Sequence, residues 1–222
     1  MKKAAAYCMT RNLYEKAIPS IKSLLINGKP DVVYLLIEDD EFPLKHKKIK
    51  VINVSDQTIF RKDGPNYNAR FTYMAMMRAA LCKFLKEHRV LSLDADTIVD
   101  GDISYLWNLP LDDYYLAAGH EPHKTKPGFL AINCGVVMFN LKKMRDGKAD
   151  EIIDALNTRP YAFLEQDAIN EFCQGGIFDF EPEYNVHSWS VPTDKAPVIK
   201  HYAGYYDWSA EPLTLKYAAM EV

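Results

Sequence analysis

Short apolar runs alternate along this chain with longer segments in which apolar residues recur every three or four positions. A run such as DVVYLLI, residues 31–37, holds very few polar residues, which is typical of a strand that is covered on both faces. The predicted strands cover residues 4–9, 31–37, 50–54, 90–93, 114–119, 131–139 and 198–202.

The segments between these strands have the spacing of amphipathic helices. In the first of them Pro19 predicts a kink or a late start, and Asn27-Gly28 predicts the C-terminal cap. Asn140 suits the N-cap of a helix that starts near Leu141. Apart from its last strand, the Pro- and aromatic-rich C-terminal stretch is predicted to form loops. The predicted helices cover about 13–26 and 71–86, a stretch from 141 onward, and a segment that includes 165–172.

Apolar strands that alternate with helices indicate an α/β fold with a mostly parallel central sheet flanked by helices. The length of 222 residues suits a single domain, 1–222, with a large core. Ligands of such sheets bind beyond the carboxyl ends of the strands. Candidate chemistry is therefore expected where the strands end.

Composition and charge narrow the class of function. A net charge of -3 argues against a protein that binds nucleic acid electrostatically. The apolar run of the N-terminus breaks at Thr10 and Arg11, too soon for a signal peptide, and no window approaches a transmembrane span. The four cysteines are far apart and form no CxxC pair, so we expect neither a zinc framework nor disulfides. The expected location is the reducing cytoplasm.

Two carboxylates stand at the end of one predicted strand, in VLSLDADTIVDGD. Asp94 and Asp96 are one residue apart, a spacing at which both can face one divalent cation such as Mg²⁺ or Mn²⁺. The sequence has neither GxGxxG nor GxxxxGK[ST], so any phosphate must be bound by metal or basic side chains. The alternative is that one carboxylate caps a turn while the other is solvated.

Two classes of enzyme place such a pair after a strand. DADT fits the DxDx[TV] pattern of haloacid-dehalogenase-like phosphatases, in which the first Asp attacks phosphorus. That motif usually opens the chain, however, and here about ninety residues precede it. In nucleotide-sugar glycosyltransferases, both carboxylates instead bind a cation that bridges the donor diphosphate.

The order of four motifs distinguishes these classes. They are TYMAMMRAALCKFLKEHRVLSLDADTIVDGDISYLW, which ends at Trp107, INCGVVMFNLKKMR, EQDAIN and HYAGYYDW. In this order they resemble glycosyltransferase family 8, which includes glycogenin and bacterial lipopolysaccharide galactosyltransferases and glucosyltransferases. The resemblance implies one GT-A type domain, 1–222, with a nucleotide-binding part over about 1–107 and a sugar and acceptor part over about 108–222. It also implies transfer with retention of anomeric configuration.

The resemblance implies a metal site and a donor site. Asp94, Asp96 and His201 match the metal ligands, with Mn²⁺ or Mg²⁺ as the ion. For Arg78 the alternative to donor binding is a structural salt bridge to an Asp, and for Tyr14 the alternative to stacking on uracil is core packing. The residues that match donor-binding positions are Thr10, Asn12, Tyr14, Arg78, Asp94, Ala95, Asp96, Gly135 and Gly204.

The resemblance also implies catalytic residues. Gln166 matches the residue beneath the sugar ring, where its amide orients or stabilises an oxocarbenium-like transition state. Asn133 is expected to bond sugar hydroxyls. Glu165 stands where the family often has Asp.

One position departs from the family. The family usually has HxxGxxK after the metal-binding His, and its Lys neutralises the diphosphate, but this chain has Asp207 there. We therefore expect either that Asp207 is turned away or that another cation, Arg11 or Arg78, compensates for it.

The sequence thus predicts a metal-dependent retaining glycosyltransferase. UDP-glucose or UDP-galactose is the expected donor, and a saccharide is the expected acceptor. A nucleotide-sugar-binding protein with weak or no transferase activity is the alternative, and a haloacid-dehalogenase-like phosphatase is a more distant one.

Overall fold

The computed structural model describes residues 2–69, 71–205 and 207–222. All seven predicted strands are present, with ends that differ by a few residues at most. Two further short strands, β5 and β8, were not predicted. The strands are β1 (Ala4–Cys8), β2 (Val32–Ile37), β3 (Ile49–Asn53), β4 (Arg89–Leu93), β5 (Thr97–Val99), β6 (Leu116–His120), β7 (Ile132–Asn140), β8 (Ile177–Asp179) and β9 (Ile199–His201).

The strands of the described residues form a seven-stranded sheet and a two-stranded one. The large sheet has the order β3-β2-β1-β4-β7-β6-β8, and β5 pairs with β9 in the small sheet. In the large sheet β1 is parallel to β2 and β4, β2 to β3, and β6 to β8. Only β7 runs against its neighbours, β4 and β6, so the prediction of a mostly parallel sheet is confirmed.

Helices cover all the predicted segments, and the described residues contain two further short α-helices that were not predicted. Tight turns extend or join several of them, with 3₁₀ geometry at Arg11–Leu13, Met77–Ala80 and Pro182–Tyr184 and with π-type turns at Leu24–Gly28 and Met144–Lys148. The α-helices are α1 (Tyr14–Ser23), α2 (Thr72–Met76), α3 (Leu81–Phe84), α4 (Ser104–Trp107), α5 (Leu141–Lys143), α6 (Ala149–Thr158), α7 (Leu164–Phe172) and α8 (Pro212–Ala218).

The single helix predicted over 71–86 is divided into three pieces. A 3₁₀ turn over Met77–Ala80 separates α2 from α3, and all four of its residues are buried. The apolar spacing is nearly the same for α and 3₁₀ turns, so the sequence did not reveal the change. Arg78 lies in this turn and is buried with it.

The loops predicted for the C-terminal stretch are wrong in part, because α8 lies there. Its first residue is Pro212, which is favourable at the first helical position although Glu211-Pro212 resembles a helix breaker. The helix packs on α1, and the Tyr217 hydroxyl donates to Asp100 at 2.6 Å. Tertiary contacts therefore stabilise a helix that is short and locally weak.

The predicted cap at Gly28 lies one residue too early. Lys29, with φ 46°, has the left-handed conformation that ends the helical segment. Gly28 is needed for packing, since a Cβ there would lie 2.6 Å from Leu24 Cδ1 and 2.9 Å from Ile103 Cδ1. Pro19 lies inside α1, which nevertheless begins at Tyr14 and continues past it.

The antiparallel course of β7 determines where the site lies. Because β7 runs against β4, its first residues lie beside the carboxyl end of β4, and Leu93 pairs with Val136. The strand is buried along its whole length. In the small sheet Thr97 pairs with His201, which brings β9 to the same edge. Among the described residues no helix is long and apolar enough to cross a membrane.

Candidate metal and donor site

Three side chains meet just beyond the end of β4. The Asp94 amide donates to the Gly135 carbonyl at 2.8 Å, which fixes the start of the turn that leads to Asp96. The His201 Nε2 lies 3.3 Å from Asp96 Oδ1 and 3.8 Å from Asp94 Oδ2. One potential ligand atom from each of the three residues lies within 4.8 Å of the others.

The ring of His201 is held in one orientation. It is 3% exposed, and its Nδ1 lies 3.0 Å from the Asn185 side-chain oxygen. When Nδ1–H donates to this oxygen, Nε2 is left as a lone-pair donor that faces the two carboxylates. Histidines that bind metals usually have such a partner on the other ring nitrogen.

Gly135 leaves the space that this ring needs. A Cβ on Gly135 would overlap His201 Cε1, an impossible contact with a ring that is itself held in place. The close approach is therefore between the β7 backbone and the imidazole. A contact of Gly135 with the donor stays a prediction.

The donor atoms of this cluster fit a divalent cation. Two carboxylates with one imidazole suit Mn²⁺, and Mg²⁺ is also compatible with the carboxylates. Burial opposes charge on both Asp96 and His201, but their mutual attraction prevails, so the pKa of Asp96 is lowered and that of His201 is raised. A cation at this position would compete with the proton on His201.

Arg78 is buried beside this cluster, with 5% of its side chain exposed. Its guanidinium pairs with the Asp94 carboxylate, donates to the Cys134 carbonyl, and lies 3.3 Å from Glu165 Oε1. Burial opposes the charge, yet Asp94 and Glu165 outweigh it, and the pKa of Arg78 is raised. The predicted salt bridge to an Asp is thus present, and it lies within the site.

The carboxyl group of Glu165 has an unusual environment. Burial raises its pKa to about 7, although Arg78 acts in the opposite direction. Its neighbour Gln166 accepts a hydrogen bond from the Cys134 amide at 3.0 Å. Gln166 is therefore fixed to β7 and Glu165 lies against Arg78, and the catalytic roles of both residues stay predictions.

Asn133 belongs to a chain of hydrogen bonds that ends at His201. Its side-chain oxygen accepts from the Gly135 amide at 2.9 Å and from the Asn185 amide group at 3.1 Å. Its own amide group donates to Glu121 Oε1 at 3.2 Å. Only one amide hydrogen is left for a ligand, so Asn133 mainly positions Asn185, and through it His201. The predicted sugar contact stays a prediction.

The N-terminal loop is also held by internal contacts. Thr10 donates to the Asn12 side-chain oxygen at 2.5 Å. Tyr14 is 6% exposed, packs its ring at 5.3 Å from Phe42, and donates to Asp39 at 2.8 Å. This geometry favours the alternative of core packing for Tyr14, because little of the ring is left for a base to stack on. Donor binding by Thr10 and Asn12 stays a prediction.

Neither Arg11 nor Arg78 pairs with Asp207, and whether Asp207 is turned away from the donor stays a prediction. Arg11 pairs with Asp39, and Arg78 pairs within the site. Asp207 accepts from the Ser209 amide at 3.0 Å, and Lys16 Nζ lies 3.3 Å away. Hydrogen bonds from Ser209, with Lys16 as a smaller contribution, lower the pKa of Asp207 to about 2.

The remaining predicted residues lie around the same edge. Ala95 packs beside a small cluster that includes Trp208. Gly204 has a φ of +81°, and a Cβ there would lie 2.6 Å from Trp189 Cη2, so the indole explains this glycine.

The sequence did not predict Glu121, Asn185 and Lys16 as residues of this region, because burial and pairing across the fold leave no local pattern.

Solved structures with the same architecture define the class of this fold. The chain is similar to the glycosyltransferase GlyE of Streptococcus pneumoniae, with a TM-score of 0.75 and 21% identity over 100% of this chain and 61% of that chain. It is also similar to the galactosyltransferase LgtC in complex with donor and acceptor sugar analogs, with a TM-score of 0.73 and 17% identity over 97% of this chain and 95% of that chain. The fold is thus that of the GT-A glycosyltransferases.

The family assignment rests on the sequence. The family described as Glycosyl transferase family 8 matches residues 5–208, and the chain belongs to this family. It is 25% identical to glycosyltransferase GlyB of Streptococcus pneumoniae over 215 residues, which are 88% of this chain and 46% of GlyB. It is 28% identical to the lipopolysaccharide 1,2-glucosyltransferase of Escherichia coli over 205 residues, which are 81% of this chain and 61% of that protein. The chain therefore spans only about half to two thirds of these relatives.

Proposed function

We propose that this chain is a metal-dependent retaining glycosyltransferase that transfers a hexose, glucose or galactose, from UDP to a saccharide acceptor. The observation that carries the proposal is the cluster of Asp94, Asp96 and His201, whose ligand atoms lie within 4.8 Å of one another. It lies at the sheet edge where α/β folds bind ligands. The family membership supports the reaction class.

Asp94, Asp96 and His201 would hold the cation. A divalent ion bound there supplies positive charge against the leaving diphosphate. Arg78 is fixed beside Asp94 and adds a permanent positive charge to the same region. Since Arg78 is almost completely buried, its field acts through a medium of low dielectric constant and is poorly screened.

The transfer exchanges one bond of the anomeric carbon for another. The bond from this carbon to the diphosphate oxygen breaks, and a bond to the acceptor hydroxyl oxygen forms on the same face. The hydroxyl proton passes to the departing phosphate oxygen. Gln166 is held on β7 by the Cys134 amide, and it would orient the sugar or stabilise its positive charge on the opposite face.

A panel of nucleotide sugars tests the proposal, with release of free nucleoside diphosphate as the measurement. UDP-glucose or UDP-galactose should be turned over in the presence of Mn²⁺ or Mg²⁺, slowly without an acceptor and faster with one. Turnover that continues in excess chelator would contradict the metal assignment. Binding of UDP-sugars with no turnover, with or without saccharides, would favour a nucleotide-sugar-binding protein.

Two competing functions are less well supported. A nucleotide-sugar-binding protein without transfer is suggested by the negative charge of Asp207, but Lys16 and Ser209 stabilise this charge. The alternative prediction of a haloacid-dehalogenase-like phosphatase is wrong, because the chain belongs to a glycosyltransferase family over residues 5–208.

A further inference from the structure

One tryptophan of this chain has a large exposed surface. Trp189 is 47% exposed, whereas Trp107 is 8% and Trp208 is 7% exposed. Exposed apolar area of this size is unfavourable in water by roughly 25 cal/mol per Å². Tryptophan side chains are highly buried on average, so this degree of exposure is unusual for the residue type.

The position of this indole is fixed by its neighbours. A side chain at residue 204 would collide with Trp189, so the glycine at that position is what lets the ring lie against the backbone. The His187 ring lies 6.2 Å from the indole, and the His201 ring lies 5.4 Å from His187. Trp189 is thus separated from the metal-binding imidazole by one intervening ring.

A cleft with polar groups in its lining begins at the residue that follows this tryptophan. Ser190, the next residue, lines a cleft together with His120, Asp179 and Asn185. His120 Nδ1 lies 2.7 Å from Asp179 Oδ2, and both side chains are partly exposed. Asn185 also contacts the His201 ring. Through Asn185 the cleft borders the metal-binding imidazole, at the ring nitrogen that faces away from the carboxylates.

An apolar ring beside polar groups matches the chemistry of a pyranose. One face of the sugar ring presents C–H groups, which pack on an aromatic face, while its rim presents hydroxyls that need hydrogen bonds. Tryptophan offers a large rigid surface for such packing at a small cost in side-chain entropy. An aromatic ring with a few well-placed polar groups is typical of ligand sites.

We propose that Trp189 is the stacking surface for a pyranose ring of the saccharide acceptor, whose hydroxyls face the cleft of His120, Asp179 and Ser190. This inference rests on the proposed function. It places the acceptor on the side of the metal cluster where segment 187–191 lies. It also makes Trp189 a residue that determines acceptor affinity.

Fluorescence quenching tests binding without any turnover. Lactose, maltose and cellobiose serve as probes, with UDP and Mn²⁺ present and acrylamide as the quencher. Because the other two tryptophans are buried, quenching of the exposed fluorescence should come from Trp189. At least one probe should reduce this quenching in the wild type and should have no effect in Trp189→Phe. If all three probes leave quenching of the wild type unchanged, the inference is overturned.

Kinetics test the same contact in the reaction. With the best of the three acceptors, Trp189→Ala should raise the acceptor KM about tenfold and so lower the ratio of transfer to donor hydrolysis. Trp189→Phe, which keeps an aromatic face, should recover most of this ratio. Leu215→Ala removes a side chain of similar exposure from α8 and should behave as the wild type.

The two proposals fail in different ways. If Trp189→Ala keeps the wild-type ratio and acceptor KM, the stacking surface is wrong while the glycosyltransferase proposal stands. If the wild type neither hydrolyses nor transfers any hexose from UDP, the proposed function is wrong, and the quenching experiment still decides whether Trp189 binds a saccharide.

Discussion

The candidate site has a buried corner and an exposed rim, which differ in how far their charged groups are exposed to water. The buried corner consists of Arg78, Asp96, Glu165 and His201, with the partly exposed Asp94 at its edge, and the exposed rim consists of Lys16, Trp189 and Asp207. In the buried corner, Arg78 has 5% and His201 has 3% of its side chain exposed, whereas Lys16 has 33% and Asp207 has 53%. The same kinds of ion pair therefore differ greatly in how well water screens them.

This difference predicts where substitutions matter. Removing one partner of a buried pair leaves a charge without compensation, which is costly, while water and salt replace a lost partner at the surface. Four variants, from the largest expected effect to the smallest, test whether the buried corner and the exposed rim differ in this way.

Asp96→Asn should have the largest effect on the reaction. The substitution removes a charged cation ligand and the carboxylate nearest to His201, so turnover should fall roughly 10²-fold or more. Diphosphate release from the UDP-sugar measures it, and Asp112→Asn, whose carboxylate is 96% exposed, is the control. If Asp96→Asn turned over donor at the wild-type rate, the assignment of this residue as a metal ligand would be contradicted.

Arg78→Ala should destabilise the fold and weaken UDP binding. It leaves Asp94 and Glu165 without their buried cation, at a cost of about 3–5 kcal/mol in the free energy of unfolding. Denaturant titration measures stability, and calorimetry with Mn²⁺ measures UDP affinity. Arg61→Ala removes an exposed arginine paired with Asp63 and should change neither. An Arg78→Ala protein as stable as Arg61→Ala would show that the buried corner does not need this charge.

Glu165→Gln should change how stability depends on pH. The folded-state pKa of Glu165 is raised to about 7, from an ordinary 4.5, so the folded state holds this proton more tightly than the unfolded chain. As the pH rises from 4.5 to 7, the wild type should therefore lose stability relative to Glu165→Gln, with the loss complete above about 7.

Denaturant titrations at several pH values measure this difference. Glu171→Gln, an exposed position on the same helix, is the matched control and should show no such trend. A stability difference between Glu165→Gln and the wild type that is constant across this range would contradict the raised pKa.

Asp207→Asn should have the smallest effect. Its ion pair with Lys16 is exposed, and its hydrogen bonds with Ser209 can be made by an amide oxygen. We expect UDP affinity and turnover within about twofold of the wild type. A small fall in melting temperature at low salt should disappear at high salt. A large loss of UDP affinity would mean that Asp207 faces the donor and that the exposed rim belongs to the nucleotide site.

Some of these contacts were visible in the sequence, and others were not. The pair Asp94 and Asp96 could be placed because an apolar run predicts where its strand ends and the carboxylates follow it directly. The partner of Asp207 could not be placed, since Lys16 is one of many lysines and lies on a helix nearly two hundred residues away. The 3₁₀ turn at Arg78 and helix α8 were missed for a related reason. The local sequence has only a weak conformational preference in these segments, and tertiary packing determines their geometry.

The amino-acid sequence alone reveals the alternation of strands and helices, the carboxylates at the end of β4, and the order of motifs that defines the family. These are local properties, since the spacing of apolar residues and the neighbours of a motif can be read along the chain. The folded structure is needed to see that β7 runs antiparallel to β4, that Gly135 makes room for the His201 ring, and that Asn185 holds this ring in place. Those contacts join residues far apart in the chain, and burial and pairing exist only after the strands have come together.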